Sequence, residues 1–289
     1  MIYSAKAVFE GKAAHGESAW WDAKRKAALY MDCAGKRILS YDPKTGEKRE
    51  FYLPFNPMAV MGCANGGYVA VSEDAVYMLN DDFSVKNEIM RFEHNKPTDR
   101  FNDCKCGPDG ALYMGSMGTL DEPDEGKLYR LTSSGEMSVV LNGVGVSNGF
   151  AWSADEKTLF YTDTIHNEIY AFDFDGGRVS NRRVIFKDEN VLPDGMCIDE
   201  NDNIWVALWG AGKVICVDTA TGEVMHEVTV EAPLTSSVTF GGENLDTLFI
   251  TTSRLGMTTE ELEKYPLSGA LFAVKVNVRG RELYRGDFE

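Results

Sequence analysis

An all-β fold built from six repeated sheets is predicted by three features of the sequence. Short apolar or alternating segments typical of buried strands recur along the whole chain, centred near Tyr30, Tyr68, Tyr113, Phe160, Trp205 and Phe249. These centres are 38, 45, 47, 45 and 44 residues apart. Long helical periodicity is absent, and only Thr258 to Lys264 suggests a short helical turn. Six such repeats, each able to form a four-stranded antiparallel blade, are typical of a six-bladed β-propeller around a central channel.

Each repeat contains the strands that one blade requires. After a glycine or charged turn the first run is followed by a second, namely KRILSYD, AVYMLN, GKLYRLT, NEIYAFDF, GKVICVD and GALFAVKV. A more polar third strand follows in four repeats, as EKREFYL, EMSVVLN, NRRVIFK and EVMHEVTV. The segments that precede the first runs, HGESAWW, FNPMAVM, RFNDCKC, VSNGFAW, LPDGMCI and LTSSVTF, are predicted to be the innermost strands. We therefore expect one propeller domain spanning residues 1–289.

The composition is that of a folded globular protein with a strong negative charge. Of 289 residues, 44% are hydrophobic, enough to bury a substantial core. The formal net charge of -16 disfavours nucleic acid or an anionic membrane as a partner, because both attract basic surfaces. No basic segment followed by an apolar one begins the chain, and no stretch approaches the roughly 18 apolar residues that span a bilayer. We therefore expect a cytoplasmic protein.

The cysteines and histidines do not suggest a metal site of the zinc type. The six cysteines are sparse for a chain of this length, and we interpret them as free thiols. Cys104 and Cys106 are separated by a single residue, which is too close for the usual zinc spacing. The four histidines are scattered along the sequence.

Polar residues recur at one position of the inner strands. That position is occupied by Glu17, Pro57, Asn102, Asn148, Asp194 and Ser236, in steps of 40, 45, 46, 46 and 42 residues. In a propeller, equivalent positions face one another around one mouth of the channel. Turn chemistry is the alternative explanation for Asp194, since it lies in the sequence Pro-Asp-Gly. It does not account for two carboxylates and two carboxamides at one position with no lysine or arginine among them.

Two carboxylates that converge in a channel repel each other, and a bound cation is the simplest relief. Oxygen ligands favour a hard divalent ion, with Ca²⁺ first and Mg²⁺ or Mn²⁺ as alternatives. Zn²⁺ tolerates such a site but usually attracts a histidine or cysteine. We therefore predict one divalent cation at the mouth.

The chain also resembles the regucalcin (senescence marker protein)/gluconolactonase group of six-bladed propellers, which includes sugar lactonases and luciferin-regenerating enzymes. The matching segments are Gly16-Glu17-Ser18, Arg100-Phe101-Asn102-Asp103, Gly115-Ser116-Met117, Ser147-Asn148-Gly149, Ser180-Asn181-Arg182-Arg183, the segment from Pro193 to Asp199, and Trp205-Val206-Ala207. They extend from the first blade to the fifth, and Ser237 to Gly242 with SGALFAV extends the likeness to the sixth.

The resemblance implies roles for five residues. Glu17, Asn148 and Asp194 would bind the cation, Asn102 would lie close to the cation or its water, and Arg100 would contact the substrate. The chain departs from the family after Gly115-Ser116-Met117, where it reads Gly-Thr-Leu120 instead of placing a glutamate that holds sugar hydroxyls. Substrate preference is therefore open, and the segment from Leu120 to Gly126 is predicted to be a lid over the mouth.

The predicted activity is the opening of a sugar lactone, in which an aldonolactone becomes an aldonic acid. A hard cation polarises the carbonyl, Asp194 acts as the general base, and Arg100 orients the substrate or steadies the oxyanion. We expect a small-molecule sugar lactone as the partner and a monomer or weak homodimer. The alternatives are a non-catalytic calcium-binding propeller and a related esterase or phosphotriesterase.

The segment Gly145 to Gly149 also fits the G-x-S-x-G pattern of a serine hydrolase. Its context argues against that activity, because strands rather than a strand and a helix are predicted around it, and no histidine is suitably spaced.

Overall fold

Six sheets, each with four antiparallel strands, are arranged as blades around a central channel and make up almost all of the described chain. The structure is a computed structural model that describes residues 1–94, 99–117 and 124–289. The predicted six-bladed β-propeller is confirmed. Among the described residues, no helix combines the length and apolar character needed to cross a bilayer.

The strands follow the order that the repeats predict. Two short strands begin the chain, β1 (Ile2–Ser4) and β2 (Lys6–Phe9). Blade one contains β3 (Gly16–Asp22), β4 (Ala27–Asp32), β5 (Arg37–Tyr41) and β6 (Lys48–Tyr52). Blade two contains β7 (Pro57–Gly62), β8 (Tyr68–Ser72), β9 (Ala75–Leu79) and β10 (Val85–Arg91). Blade three contains β11 (Arg100–Cys106), β12 (Leu112–Met117), β13 (Gly126–Leu131) and β14 (Met137–Val144).

The second half of the chain repeats the arrangement. Blade four contains β15 (Ser147–Trp152), β16 (Thr158–Asp163), β17 (Glu168–Asp175) and β18 (Arg178–Lys187). Blade five contains β19 (Leu192–Ile198), β20 (Ile204–Trp209), β21 (Lys213–Val217) and β22 (Val224–Thr229). Blade six contains β23 (Thr235–Gly241), β24 (Thr247–Thr252) and β25 (Leu271–Lys275). Helix α1 (Thr259–Lys264) occupies the predicted helical turn and is capped by Thr258, whose side chain accepts from the Glu261 amide.

The N-terminal strands close the ring. β2 pairs antiparallel with β25 and supplies the outermost strand of blade six, so segments from near both ends of the chain share one sheet. β1 continues to blade five and pairs parallel with β22. Neither strand was predicted from the sequence, because each is too short to show a periodic pattern and its partner is distant in the chain.

The core lies between the blades and along the inner strands. β7 and β15 are buried along their whole length, whereas β6 and β10 consist mostly of exposed residues. A strand that packs against neighbouring blades on both faces needs apolar side chains on both, which explains runs such as Pro57-Met-Ala-Val-Met. All six cysteines are buried and unpaired, as expected for structural thiols.

Every inner strand carries a break in its pairing near its start. The breaks follow Glu17, Pro57, Phe101, Ser147, Pro193 and Thr235. Two residues of the inner strand oppose one residue of the next strand in most of them, which is the geometry of a β-bulge. A β-bulge changes the direction in which the side chains of the bulged strand point. Asn102, Asn148 and Asp194 all lie within such breaks.

The C-terminal segment covers the end of the channel where the inner strands finish. Arg281 donates to the carbonyl oxygens of Trp152 (3.2 Å) and Asp199 (3.2 Å), in blades four and five. Gly286 bridges to Cys63 after β7, and the Asp287 amide donates to the Gly110 carbonyl (3.0 Å) in blade three. The opposite end, where the inner strands begin, is the mouth.

Candidate metal centre

A small pocket at the mouth gathers four of the five predicted site residues. Its walls are formed by His15, Glu17, Ser18, Cys33, Met58, Arg100, Asn102, Asp103 and Asn148. Asp194 lies next to this group, because its carboxylate and that of Glu17 interact electrostatically. Residues from blades one, three, four and five therefore meet at the position that the repeat spacing predicts. Their roles as ligands, base and substrate contacts stay predictions.

Asp194 is part of a strand and does not occupy a turn. β19 continues from Leu192 to Ile198, and Gly195 does not have a positive φ. The turn interpretation of Pro-Asp-Gly is therefore wrong. The glycine serves close packing instead, since a Cβ at Gly195 would lie 2.8 Å from the Ser236 carbonyl oxygen of the next inner strand.

The glycine of Ser147-Asn148-Gly149 has the same function. A Cβ at Gly149 would lie 2.3 Å from the Met196 amide nitrogen. Because only glycine allows β15 and β19 to approach this closely, Asn148 and Asp194 are held side by side. The packing of inner strands thus positions both residues.

Asp194 is a buried carboxylate without a complete set of partners. Its side chain is 4% exposed, and its Oδ1 atom has no hydrogen-bond partner. Burial raises the pKa of Asp194 well above its usual value, and the negative charges of Glu17 and Asp103 raise it further. The carboxylate therefore favours a proton or a cation beside it.

The partly buried carboxylate of Glu17 also has a raised pKa. Burial raises the pKa of Glu17 to about 8, with a further contribution from the charge of Asp103, while the Ser18 amide and Arg100 act in the opposite direction. The amide of Ser18 donates to Glu17 Oε2 (3.1 Å). Ser18 has a φ of 50°, a left-handed conformation that is uncommon for a residue other than glycine and often marks functional sites.

Hydrogen bonds orient the two asparagines. Asn102 Nδ2 donates to Asn148 Oδ1 (3.0 Å), and Asn148 Nδ2 donates to Thr164 Oγ1 (2.8 Å). Thr164 in turn donates to the Pro193 carbonyl oxygen (2.7 Å). The chain of bonds connects blades three, four and five and leaves each amide oxygen a lone pair for a further partner.

Arg100 supplies positive charge at the mouth. Its Nη1 atom donates to Asn102 Oδ1 (2.7 Å) and to the Phe101 carbonyl oxygen (2.9 Å). Its charge lowers the pKa of both Glu17 and Asp194. The guanidinium is therefore close enough to influence both carboxylates and is held by neighbours in its own strand.

Asp103 is a further pocket residue that was not predicted from the sequence. This residue follows Asn102 within the bulge of β11, is 7% exposed, and has an unpartnered Oδ2 atom, while Oδ1 accepts from the Cys104 amide (2.8 Å). Burial raises its pKa. Two consecutive polar residues in an otherwise buried strand were the available signal, because regular alternation would point one of them away from the channel.

His15 was missed as well. Its ring lines the mouth pocket, contacts Ser253 Oγ through Nδ1 (2.9 Å), and lies 5.8 Å from the Trp209 ring. Burial, with the charge of Arg100, lowers the pKa of His15 to about 4. The imidazole is therefore neutral at physiological pH. No sequence signal distinguished it from the other three histidines.

A buried lysine lies below the carboxylates. Lys105 Nζ donates to the carbonyl oxygens of Phe150 (2.8 Å) and Met196 (2.5 Å), which connects blade three to blades four and five. Burial lowers its pKa, and the charge of Asp103 acts in the opposite direction. This ammonium group compensates part of the negative charge at the channel centre. Its hydrogen bonds, however, go to backbone carbonyl oxygens and not to the carboxylates.

The donor set fits a hard cation. Among the described residues, no lysine or arginine nitrogen comes within 4.0 Å of the carboxylates of Glu17, Asp103 or Asp194. Those same residues form no group of three His, Cys, Asp or Glu side chains arranged to hold a metal, so a cation here would need other oxygen ligands as well, such as amide oxygens or water. Carboxylate and amide oxygens with water are ligands that Ca²⁺, Mg²⁺ and Mn²⁺ accept.

Two other predictions concern neighbouring segments. Leu120 and most of the predicted lid, Leu120 to Gly126, lie outside the described residues. Ser147, the serine of the G-x-S-x-G pattern, is buried in β15, accepts from the Tyr161 hydroxyl (2.5 Å), and is not followed by a helix. A nucleophile elbow is therefore absent there.

Fold and site together define a class: six-bladed propellers with an oxygen-rich, acidic mouth suited to a divalent cation. The chain belongs to the family described as SMP-30/Gluconolactonase/LRE-like region, whose profile matches residues 15–254. Regucalcin of Xenopus laevis is 32% identical over 268 residues, covering 90% of each chain.

Two solved structures share the fold. A regucalcin from Agrobacterium tumefaciens, described as a calcium-binding protein, has a TM-score of 0.91 at 22% identity and covers 99% of this chain and 98% of its own. A luciferin-regenerating enzyme has a TM-score of 0.89 at 27% identity, covering 98% of each chain. Because the identity is only 22%, the likeness to the Agrobacterium tumefaciens regucalcin shows the fold alone.

Proposed function

We propose that this protein is a divalent-cation-dependent hydrolase that opens sugar lactones. The observation that supports it most is the unpartnered Oδ1 atom of Asp194, buried beside Glu17 at a mouth that also contains Arg100. A free carboxylate oxygen next to a cation position can accept a proton from water. Membership of a family named partly for gluconolactonase favours the same chemistry.

Glu17, Asn148 and Asp194 would hold the cation. Ca²⁺ is the first candidate, followed by Mg²⁺, Mn²⁺ and Zn²⁺. When bound, such an ion supplies a Lewis acid for the carbonyl and lowers the pKa of an attacking water.

In the proposed reaction, Asp194 Oδ1 takes one proton from the water whose oxygen attacks the lactone carbonyl carbon. The bond between that carbon and the ring oxygen then breaks, and the proton on Asp194 passes to the ring oxygen. The product is an open hydroxy acid. Arg100 would stabilise negative charge on the carbonyl oxygen, and Asn102 would hold the water or a substrate hydroxyl.

The test is lactone hydrolysis measured by proton release. Protein stripped with a chelator is assayed with five- and six-membered aldonolactones, an aryl ester and a phosphotriester, and each of the four ions is added back in turn. Cation-dependent opening of one lactone is the expected result. Turnover of only the aryl ester or the phosphotriester would reassign the substrate.

A non-catalytic calcium-binding role is the second candidate. It is favoured by the description of the Agrobacterium tumefaciens regucalcin as a calcium-binding protein. Tight cation binding measured by calorimetry, with no turnover of any compound in the panel, would support this role over the hydrolase.

A further inference from the structure

The backbone of His15 is fixed at the mouth between blades one and six. Its amide donates to Asp32 Oδ1 (3.1 Å), and its carbonyl oxygen accepts from the Cys33 amide (3.0 Å). An antiparallel β-bridge connects the same residue to Ser253, which follows β24 in blade six. The position of the side chain therefore depends on two blades that meet at the closure of the ring.

The imidazole ring of His15 is held by two neighbours. Its Nδ1 atom lies 2.9 Å from Ser253 Oγ. The ring meets that of Trp209 nearly at right angles, with an interplanar angle of 87° and centroids 5.8 Å apart. Such an edge-to-face contact is a favourable arrangement of two aromatic rings. The orientation of the imidazole is thus set before any ligand binds.

The other ring nitrogen, Nε2, is available to a ligand. Among the described residues it has no hydrogen-bond partner, and the atom is open to solvent. The two nitrogens of an imidazole point in nearly opposite directions, so Nε2 points away from Ser253 and blade six. His15 lines the mouth pocket together with Asn102 of blade three, which is opposite blade six in the ring. Nε2 is therefore directed towards the pocket.

The hydrogen bonds of Ser253 assign the hydrogen on the His15 ring. Ser253 Oγ accepts from the Leu255 amide (3.0 Å). Its own hydrogen can go to His15 Nδ1 at 2.9 Å or to the Ala14 carbonyl oxygen at 3.4 Å, and the shorter contact favours Nδ1. A neutral imidazole whose Nδ1 accepts carries its hydrogen on Nε2. Protonation of the ring would leave this Nε2 donor in place.

A sugar lactone needs such a donor. In the proposed reaction Arg100 acts on the carbonyl oxygen, and the Nδ2 atoms of Asn102 and Asn148 already donate within the protein. The hydroxyl groups of the lactone also enter the mouth, and a hydroxyl that loses water without gaining a partner there costs free energy. His15 Nε2 is placed to donate to one of them.

From these observations we infer that His15 determines substrate specificity by donating a hydrogen bond from Nε2 to a hydroxyl oxygen of the lactone. The inference rests on the proposed function and narrows its substrate class to lactones that carry hydroxyl groups. A ring already held by Ser253 and Trp209 loses little freedom when the substrate binds, which favours affinity. His15 takes part in no proton transfer.

Binding of two lactams tests the inference without turnover. Gluconolactam carries the hydroxyls of a six-membered sugar lactone, δ-valerolactam has the same ring without them, and the amide bond of both resists hydrolysis. NMR titrations use protein saturated with Ca²⁺. The original protein should bind gluconolactam saturably. His15→Phe keeps an aromatic ring but removes the donor, so it should weaken gluconolactam binding about fivefold to tenfold and leave δ-valerolactam binding unchanged.

Three further variants separate recognition from structure. His15→Gln places an amide nitrogen near the position of Nε2 and should restore gluconolactam binding to within about threefold of the original. Ser253→Ala keeps the imidazole but removes the group that orients it, so binding should weaken about threefold. This variant also tests the inference if His15→Phe does not fold. His226→Phe changes a histidine of β22 that stacks on Trp205, and as the control it should leave binding unchanged.

The lactone assay separates this inference from the proposed function. Gluconolactam affinity that depends on His15, without opening of any lactone, would reject the hydrolase and support the binding role. Opening of lactones with equal gluconolactam affinity in the original protein and His15→Phe would reject the inference alone. Absence of saturable gluconolactam binding, or an equal loss for both lactams, would also overturn it. Where His15→Phe does not fold, unchanged affinity in Ser253→Ala has the same meaning.

Discussion

The two ends of the channel carry buried or partly buried carboxylates on the same inner strands, but with different surroundings. β3 has Glu17 near its start and Asp22 at its end, and β19 has Asp194 near its start and Asp199 directly after its end. At the mouth, Asp194 Oδ1 has no partner. At the closed end, Asp22 and Asp199 have hydrogen-bond partners for both oxygens.

Asp199 shows how the closed end uses a carboxylate. Oδ1 accepts from the amides of Asn201 (2.9 Å) and Asn203 (3.0 Å), and Oδ2 accepts from Trp205 Nε1 (3.1 Å). This carboxylate organises the turn between β19 and β20 and fixes a core tryptophan. Asp22 is equivalent in blade one, where it accepts from the Lys24 amide (2.9 Å).

Burial of a charged group therefore does not by itself indicate function. Asp194 and Asp199 are 4% and 1% exposed. One has its acceptors satisfied by neighbours in sequence and stabilises the fold. The other faces further carboxylates from distant blades and leaves an acceptor free, which is unfavourable until a proton or a cation arrives.

The largest expected effect is on turnover. Asp194→Asn keeps the size and one ligand oxygen but removes the base, so lactone hydrolysis should fall at least about 100-fold. Calorimetry should still detect cation binding, and the melting temperature of the cation-free protein should not fall. An Asp194→Asn protein with undiminished turnover would disprove the assignment of Asp194 as the base.

The matched change at the other end should have the opposite outcome. Asp199→Asn places an amide where Oδ2 accepts from Trp205 Nε1, which leaves a buried donor facing another donor. The free energy of unfolding should decrease by about 2 kcal/mol, while turnover measured well below the melting temperature stays at the original level. Denaturant unfolding and the lactone assay check both parts. Equal loss of turnover in the two variants would remove the distinction between the ends.

The carboxylates at the two ends should also differ in how they contribute to the pH dependence of stability. The folded-state pKa of Glu17 is about 8, above its ordinary 4.5. Asp103 and Arg100 line the same pocket, and Asp194 lies beside it. A raised carboxyl pKa means that the folded state holds the proton more tightly, so this contribution to stability is complete below about pH 4.5 and is lost as the pH rises through about 8.

Glu17→Gln has no such proton to lose. Between pH 5 and pH 9, the chelated original protein should therefore lose on the order of 3 kcal/mol of unfolding free energy relative to Glu17→Gln. Urea unfolding across this pH range is the measurement, and adding Ca²⁺ at pH 9 should restore part of the loss. Parallel stability curves for the two proteins would contradict the assigned surroundings of Glu17.

The smallest effect is expected for a carboxylate away from the channel. Asp173 in β17 is exposed and accepts from Asn181 and Arg183. Asp173→Asn should leave turnover unchanged and shift the melting temperature by less than about 1 °C, because solvent screens such contacts. A larger shift in thermal denaturation would show that loss of any carboxylate destabilises this acidic chain, and the contrast between the ends would lose its meaning.

The candidate site was partly predictable because propeller repeats are local. Counting residues between inner strands is enough to place Glu17, Asn102, Asn148 and Asp194 around one mouth. A turn role for Asp199 was also predictable, since the amides that donate to it lie two and four residues later in the chain.

Other parts of the site were not predictable from spacing. Asp103 faces the pocket because a bulge interrupts strand alternation, and no residue type marks that bulge. His15 becomes a wall residue only because blade six packs beside blade one. Tertiary contacts also showed that Gly149 and Gly195 serve close strand packing.

By itself, the sequence determined the number of blades, their order and the position in each inner strand that faces the mouth, because every blade forms from consecutive residues. The tertiary structure decided how the ring closes through β2, how residues 281–287 cover the far end, and which buried carboxylates lack partners. These features depend on contacts between residues far apart in the chain. Such contacts leave no local pattern, and only the folded ring brings them together.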